Sequence, residues 1–139
     1  MKGTVVVGVD GSSASTAALE WAVRYAELAD LRLQAIIAWH FPASSGWAVD
    51  GGDLASASEA ALSETLKPIV AAHPKVEIQA DVNEGPAAQV LLDAARTADL
   101  LVVGSRGHGA FAGMLLGSVS MHCVHHARCP VVVVPGEDR

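Results

Sequence analysis

The sequence predicts an α/β fold: an open parallel sheet of five strands with helices on both faces, in one domain spanning residues 1–139. Short runs rich in Val, Leu and Ile alternate with longer segments whose apolar residues recur at helical spacing, which gives the order βαβαβαβαβ. The strand-like runs at residues 5–7, 100–103 and 131–134 are continuously apolar, and the first reads as a strand buried on both faces, as central strands of a parallel sheet are. Hydrophobic residues make up 51% of the chain and aromatic ones 4%, so the layers must pack through small and β-branched side chains.

Residues 4–10 close on Asp10 and read as the first strand. Gly11, Ser12 and Ser13 then offer a turn and a helix N-cap. Ala18, Ala22, Ala26 and Ala29, with Leu19 and Val23 beside them, form the buried face of a first helix. Residues 33–39 make a second strand, and residues 40–53, rich in Gly, Ser, Ala and Asp, the longest loop. Leu54, Ala57, Ala61, Leu62, Leu66 and Ile69 mark a second helix, which Pro68 is expected to bend. Residues 76–82 alternate apolar and polar, the pattern of a strand with one wet face, and are assigned to a sheet edge. Pro86 suits the first position of a third helix, buried through Val90, Leu91, Ala94, Ala95 and Ala98. Residues 99–104 form a fourth strand. Gly107, Gly109, Gly113 and Gly117 punctuate the loop after it, residues 118–127 form a fourth helix, and residues 130–135 form a fifth strand bounded by prolines.

The formal charge is −6 and the lysines are Lys2, Lys67 and Lys75, so there is no basic stripe for nucleic acid or an anionic membrane. Apolar runs reach about six residues, against the ~20 that cross a bilayer. Met1 and Lys2 lead straight into the first strand, so no signal peptide is expected. Cys123 and Cys129 are too few for a disulfide framework and match no common zinc spacing. A reducing cytoplasm and two small core thiols are the expectation.

In such sheets ligands bind beyond the carboxyl ends of the strands, where strand order reverses. That directs attention to Asp10, Trp39, residues 82–85 and the loop after Gly104. Gly104, Ser105, Arg106 and Gly107 are followed, after nine residues, by Gly117, Ser118, Val119 and Ser120. This is a strand, a glycine-rich loop and a helix start. Glycines let backbone N–H groups approach phosphate oxygens, and a helix N-terminus adds donors and partial positive charge. Ser118 and Ser120 add hydroxyls, and Arg106 is the only fixed cation between Arg96 and Arg128. The competing reading is that the glycines permit a mobile surface loop and nothing more. Two readings also stand for Asp10: a ligand for a nucleotide hydroxyl, amino group or Mg²⁺, or a cap for the helix that follows.

Two motif matches are set aside. Gly107, Gly109 and Ala112 fit G-x-G-x-x-A, but the dinucleotide fingerprint belongs in the first βα turn with an acid about 20 residues on, and neither condition holds. No G-x-x-x-x-G-K-[ST] is present and no lysine follows Lys75, which excludes a P-loop NTPase. His122, Cys123, His125, His126 and Cys129 resemble a metal cluster on paper, but on a helix His122 shares a face with His125 or His126 while Cys123 points elsewhere, so a surface helix face is expected. His108 touches either phosphate or solvent. No Ser-His-Asp order, nucleophile elbow or carboxylate pair stands out.

Taken together, residues 5–12, Ile37, Ala38 and Trp39, residues 103–107, residues 117–120 and residues 129–134 resemble the universal stress protein family along the whole chain. The family's ATP-binding branch carries G-x2-G-x9-G-[ST], filled here by Gly104, Gly107, Gly117 and Ser118. The resemblance implies a Rossmann-like sheet of order 3-2-1-4-5. It implies adenine near Val9, Asp10 and the backbone of Ala38. Gly104, Arg106 and Gly107 would approach ribose and phosphates, and Gly117, Ser118, Val119 and Ser120 would hold phosphates at the helix start. It implies ATP, ADP or AMP as ligand with Mg²⁺ accompanying the nucleotide, a homodimer through the last strand, and a regulatory role in stress adaptation with weak hydrolysis at most. An apolar edge at Val131, Val132, Val133 and Val134 would otherwise invite aggregation, so pairing it is physically sensible.

Three functions follow. An ATP-binding regulatory module is favoured, because the site has donors but no evident base to activate water; within that class cyclic AMP is an alternative, since one phosphate needs few cations. A slow ATPase or autophosphorylating enzyme would use Asp10 with Mg²⁺ and Ser118 or Ser120 as acceptor. A response-regulator-like switch at Asp10 lacks the lysine it needs near the fifth strand.

Overall fold

The computed structural model describes residues 2–40, 51–106 and 116–136. Five strands and four helices alternate along it: β1 (Thr4–Gly8), α1 (Ser13–Ala29), β2 (Arg32–Trp39), α2 (Gly51–Ala72), β3 (Ile78–Glu84), α3 (Ala87–Ala95), β4 (Leu100–Gly104), α4 (Ser118–His126) and β5 (Val131–Val134). Every strand pair is parallel and the order is β3-β2-β1-β4-β5. The order reverses between β1 and β4, at the centre of the sheet.

Side chains alternate across a strand, so each central strand feeds two cores. Val5, Val7 and Val102 pack with Ala18, Leu19, Ala22 and Val23 of α1 and with Leu62 and Leu66 of α2. Val6, Ile36, Leu101 and Val103 pack with Val90 and Leu91 of α3 and Cys123 of α4. Val5, Val6, Val7, Leu101 and Val102 are wholly buried, which is why these runs are unbroken by polar residues. β3 and β5 are the edges. β3 has no fully buried position, with Ile78, Asp81 and Val82 half-buried and the rest exposed, and all four β5 valines are half-buried.

Several boundaries differ from the expectation, most by a single residue, and four of them matter here. β1 ends at Gly8, so Val9 and Asp10 lie beyond the ladder. β3 runs two residues later than expected, because β2 sets its register: Leu33 pairs with Ile78 and Trp39 with Glu84, while the N–H of Val76 donates to the His73 carbonyl in the preceding turn. α2 begins at Gly51 and continues through Pro68 to Ala72; residues 41–50 of the expected loop lie outside the described residues. Pro86 is the N-cap of α3, not its first helical residue: its φ of −62° suits either position, but its ψ of 136° is extended.

Cys123 is wholly buried and Cys129 half-buried. Burial pushes the Cys123 thiol up to about 11. Burial also raises Cys129, with the Asp99 carboxylate adding to it and backbone N–H donors opposing.

Gly104 shows a close approach that only glycine allows. A Cβ there would lie 2.7 Å from the carbonyl carbon of Ala14 and 2.8 Å from its Cβ, so the first turn of α1 rests directly on the end of β4. Replacing it costs space that backbone must yield. Gly104→Ala is therefore expected to destabilise the fold by roughly 1–3 kcal/mol in urea unfolding. The thiols give a second expectation: at pH 8 a thiol reagent labels Cys129 in the native protein, whereas Cys123 reacts at the rate of global or local opening.

Candidate functional site

The site is built where β1 and β4 end. Past Gly8 the chain leaves the ladder, and the Val9 N–H donates to the Ile36 carbonyl at 2.8 Å, which holds Val9 against β2. Gly11, with φ of 83°, turns the chain into α1. Ser12 is the N-cap: its Oγ accepts from the Ser15 N–H at 3.2 Å. Asp10 sets that cap. Its Oδ1 accepts from the N–H of Ser12 at 2.9 Å and from the Ser12 hydroxyl, and its own N–H donates to Ser15 Oγ at 3.2 Å. The capping residue is thus Ser12, and Asp10 is an exposed residue whose carboxylate is held by Ser12 and whose backbone N–H is held by Ser15.

On the other side, Ser105 closes the base of the glycine-rich loop. Its carbonyl accepts from the Gly117 N–H at 2.6 Å and from the Ser120 hydroxyl at 2.8 Å, and its N–H donates to the Val134 carbonyl at 2.8 Å. Ser120 is 2% exposed and also reaches the Gly117 carbonyl at 3.1 Å. α4 starts at this closure. Its N-cap, Gly117, has no side chain to satisfy the first-turn N–H groups. α3 likewise starts at Pro86 without a side-chain cap.

These elements surround a cleft with about 480 Å³ of free space, part of it open to solvent. Apolar walls come from Val9, Ile36, Ala38 and Leu91. Among the described residues lining it, Asp10 is the one carboxylate and half-buried Arg106 the one fixed cation. Ala87 of α3 and Val119 and Ser120 of α4 also line it, so two uncapped helix N-termini face one space. Such ends carry exposed N–H donors and partial positive charge.

Of the residues expected from the sequence, Val9, Asp10, Ala38 and Gly104 converge on this cleft, as do Arg106, Val119 and Ser120. Gly117 and Ser118 stand at the start of α4, with Ser118 exposed. Gly107, like His108, Gly109 and Gly113, lies outside the described residues. Ser15, Ala87 and Leu91 were not singled out as site residues. Leu91 is legible in sequence as a buried helix position, but that it walls the cleft follows from α3 crossing the end of β1. The histidines of α4 form an exposed face, with the rings of His122 and His126 4.5 Å apart. Among the described residues no group of three metal-ligating side chains is gathered.

Ser120 ties the site to the fold. Ser120→Ala would leave the Ser105 carbonyl with one donor and is expected to cost about 1 kcal/mol, measured by urea unfolding, with faster hydrogen exchange at Gly117.

The family model of the universal stress protein family matches residues 1–135. Universal stress protein Rv2623 of Mycobacterium tuberculosis is 40% identical over 130 residues, covering 93% of this chain and 44% of that protein. Universal stress protein Rv1996 of the same species is 35% identical over 154 residues, covering 97% and 49%. The chain thus spans about half the length of the curated relatives it matches. A solved universal stress protein in complex with cAMP is 30% identical, with a TM-score of 0.75 over 96% of this chain and 97% of that one. The universal stress protein UspA from Lactobacillus plantarum, 24% identical, shares the fold with a TM-score of 0.80 over 95% and 97%. The sheet order and these matches agree: the chain belongs to the universal stress protein family.

Proposed function

We propose that the chain is an adenine-nucleotide-binding regulatory module of the stress response, holding its ligand in the cleft at the ends of β1 and β4. The observation that carries this reading is the pairing of an apolar wall with two uncapped helix N-termini and Arg106. A flat base fits the first and an anionic phosphate the second. Asp10, exposed at the rim, suits a ribose hydroxyl or a magnesium ion carried with the nucleotide. Gly107 and Ser118 extend the phosphate site on the strength of the G-x2-G-x9-G-[ST] motif. ATP is the favoured ligand on that motif.

Cyclic AMP is the second reading. It is favoured by the solved relative in complex with cAMP and by the single fixed cation of the cleft. Catalysis is not the favoured role: Asp10 is committed to the α1 cap, and the Ser120 hydroxyl donates to backbone carbonyls rather than facing a phosphate as acceptor. Residues 1–139 act as one domain in a cytoplasmic homodimer joined along Val131–Val134, whose outer edge has no strand beside it among the described residues.

The test is thermal unfolding and calorimetric titration with Mg-ATP and with cyclic AMP, on wild type and Arg106→Gln. At 100 times its dissociation constant the true ligand adds about 2.7 kcal/mol, a rise of several degrees. Arg106→Gln is expected to weaken binding about tenfold, the loss of one charge-assisted contact. The tighter of the two ligands identifies the nucleotide. No shift with either, in protein purified free of nucleotide, overturns the reading. Steady phosphate release abolished by Asp10→Ala would make the protein an enzyme instead.

A further inference from the structure

A second groove lies between α3 and α4, toward their C-terminal ends, and shares no lining residue with the nucleotide cleft. It holds about 580 Å³ of free space open to solvent. Arg96 enters from the end of α3, His122 and His126 from α4, and Arg128 from the turn beyond it. His122 and His126 are one helical turn apart, with ring centroids 4.5 Å apart and planes tilted by 39°. Two guanidinium groups and two imidazoles therefore face one space in a chain whose formal charge is −6.

The one acid in the groove is Asp93, and it is already engaged. Its Oδ1 accepts from Gln89 Nε2 at 2.9 Å and lies 3.6 Å from an Arg96 nitrogen. Arg128 and the two imidazoles make no hydrogen bond or ion pair with any described residue. A metal ion is the poorer occupant: two arginines oppose a cation, and no third ligand joins the histidine pair among the described residues. An oxyanion is the better one, since guanidinium and protonated imidazole groups are donors without an acceptor.

We propose that this groove is a second, independent anion site, taking a tetrahedral phosphate-type dianion between Arg128, His122 and His126. It stands without the nucleotide reading. An imidazolium offers an oxyanion two N–H donors and a positive charge where the neutral ring offers one donor, so binding strengthens as pH falls. The charged and titratable groups facing the pair are Asp93 and Arg96 on α3, His125 on α4, and Arg128 after it.

The experiment follows the ring C–H resonances of the histidines by NMR in the full chain, at constant ionic strength. Sulfate is the first probe, because it stays a dianion throughout, so that any pH effect reports the protein. Saturable shifts of His122 and His126 are expected, tightening about fivefold or more from pH 7.5 to pH 5.5. Inorganic phosphate and glycerol phosphate form two further arms: the tighter of them assigns a free ion or a phosphate monoester. Arg128→Gln and His126→Gln, both at exposed positions, should abolish saturation while the urea-unfolding midpoint is kept. Shifts that never saturate, that survive Arg128→Gln, or that do not strengthen at lower pH overturn the proposal. So does saturation that Arg106→Gln abolishes, which would place the anion in the cleft.

Discussion

The carbonyl of Ser105 is the point on which the site depends. It receives the Gly117 N–H and the Ser120 hydroxyl, so both ends of the glycine-rich loop are drawn to one atom. Eleven residues separate Ser105 from Gly117 in sequence, and the two hydrogen bonds remove most of the freedom that the base of such a loop would have. The same closure fixes where α4 begins, and hence where its unpaired N–H groups point. Because the Ser105 N–H is bonded to Val134, the closure is also anchored to β5. A serine with both backbone groups and a buried neighbour's hydroxyl committed in this way is a fixed platform.

A second constraint works from the opposite side. Gly104 lets the first turn of α1 press against β4, which brings Asp10 and the α1 N-cap beside Arg106 and the loop base. α1 satisfies its own N-terminus through Ser12, whereas α3 and α4 do not. The three helices therefore differ in what they offer. α1 contributes a positioned carboxylate, and the other two contribute donors. Apolar walls between them exclude water from one side of the cleft, which strengthens whatever electrostatic contact forms there.

The sequence made the architecture legible because its signals are long-ranged and redundant. Two unbroken valine- and leucine-rich runs identify the interior strands β1 and β4, and the alternation around residues 78–82 identifies an edge. Most of the cleft was legible too, from glycines placed after a strand and an acid placed after another. What escaped is what depends on neighbours. β3 begins at Ile78 because β2 dictates the register, which no property of Val76 announces. Pro86 has the same φ whether it caps a helix or starts one. Gly104 reads in sequence as room for a phosphate, yet its missing Cβ faces Ala14, so the packing of a helix requires the same residue. Ser120 reads as a phosphate donor, and its hydroxyl is spent on holding the loop.

The two edges of the sheet are unlike. β5 presents four valines in a row, while β3 carries Gln79, Asp81, Asn83 and Glu84, with Asp81 held by the amides of Gln34 and Gln79. Two carboxylates and two amides make β3 a poor template for another strand. Lateral growth of the sheet is consequently one-sided. Two copies meeting valine edge to valine edge use up the adhesive surface of both, and what they leave outward is the repellent one. Such a pairing is self-terminating, and fibres of indefinite length are denied to it.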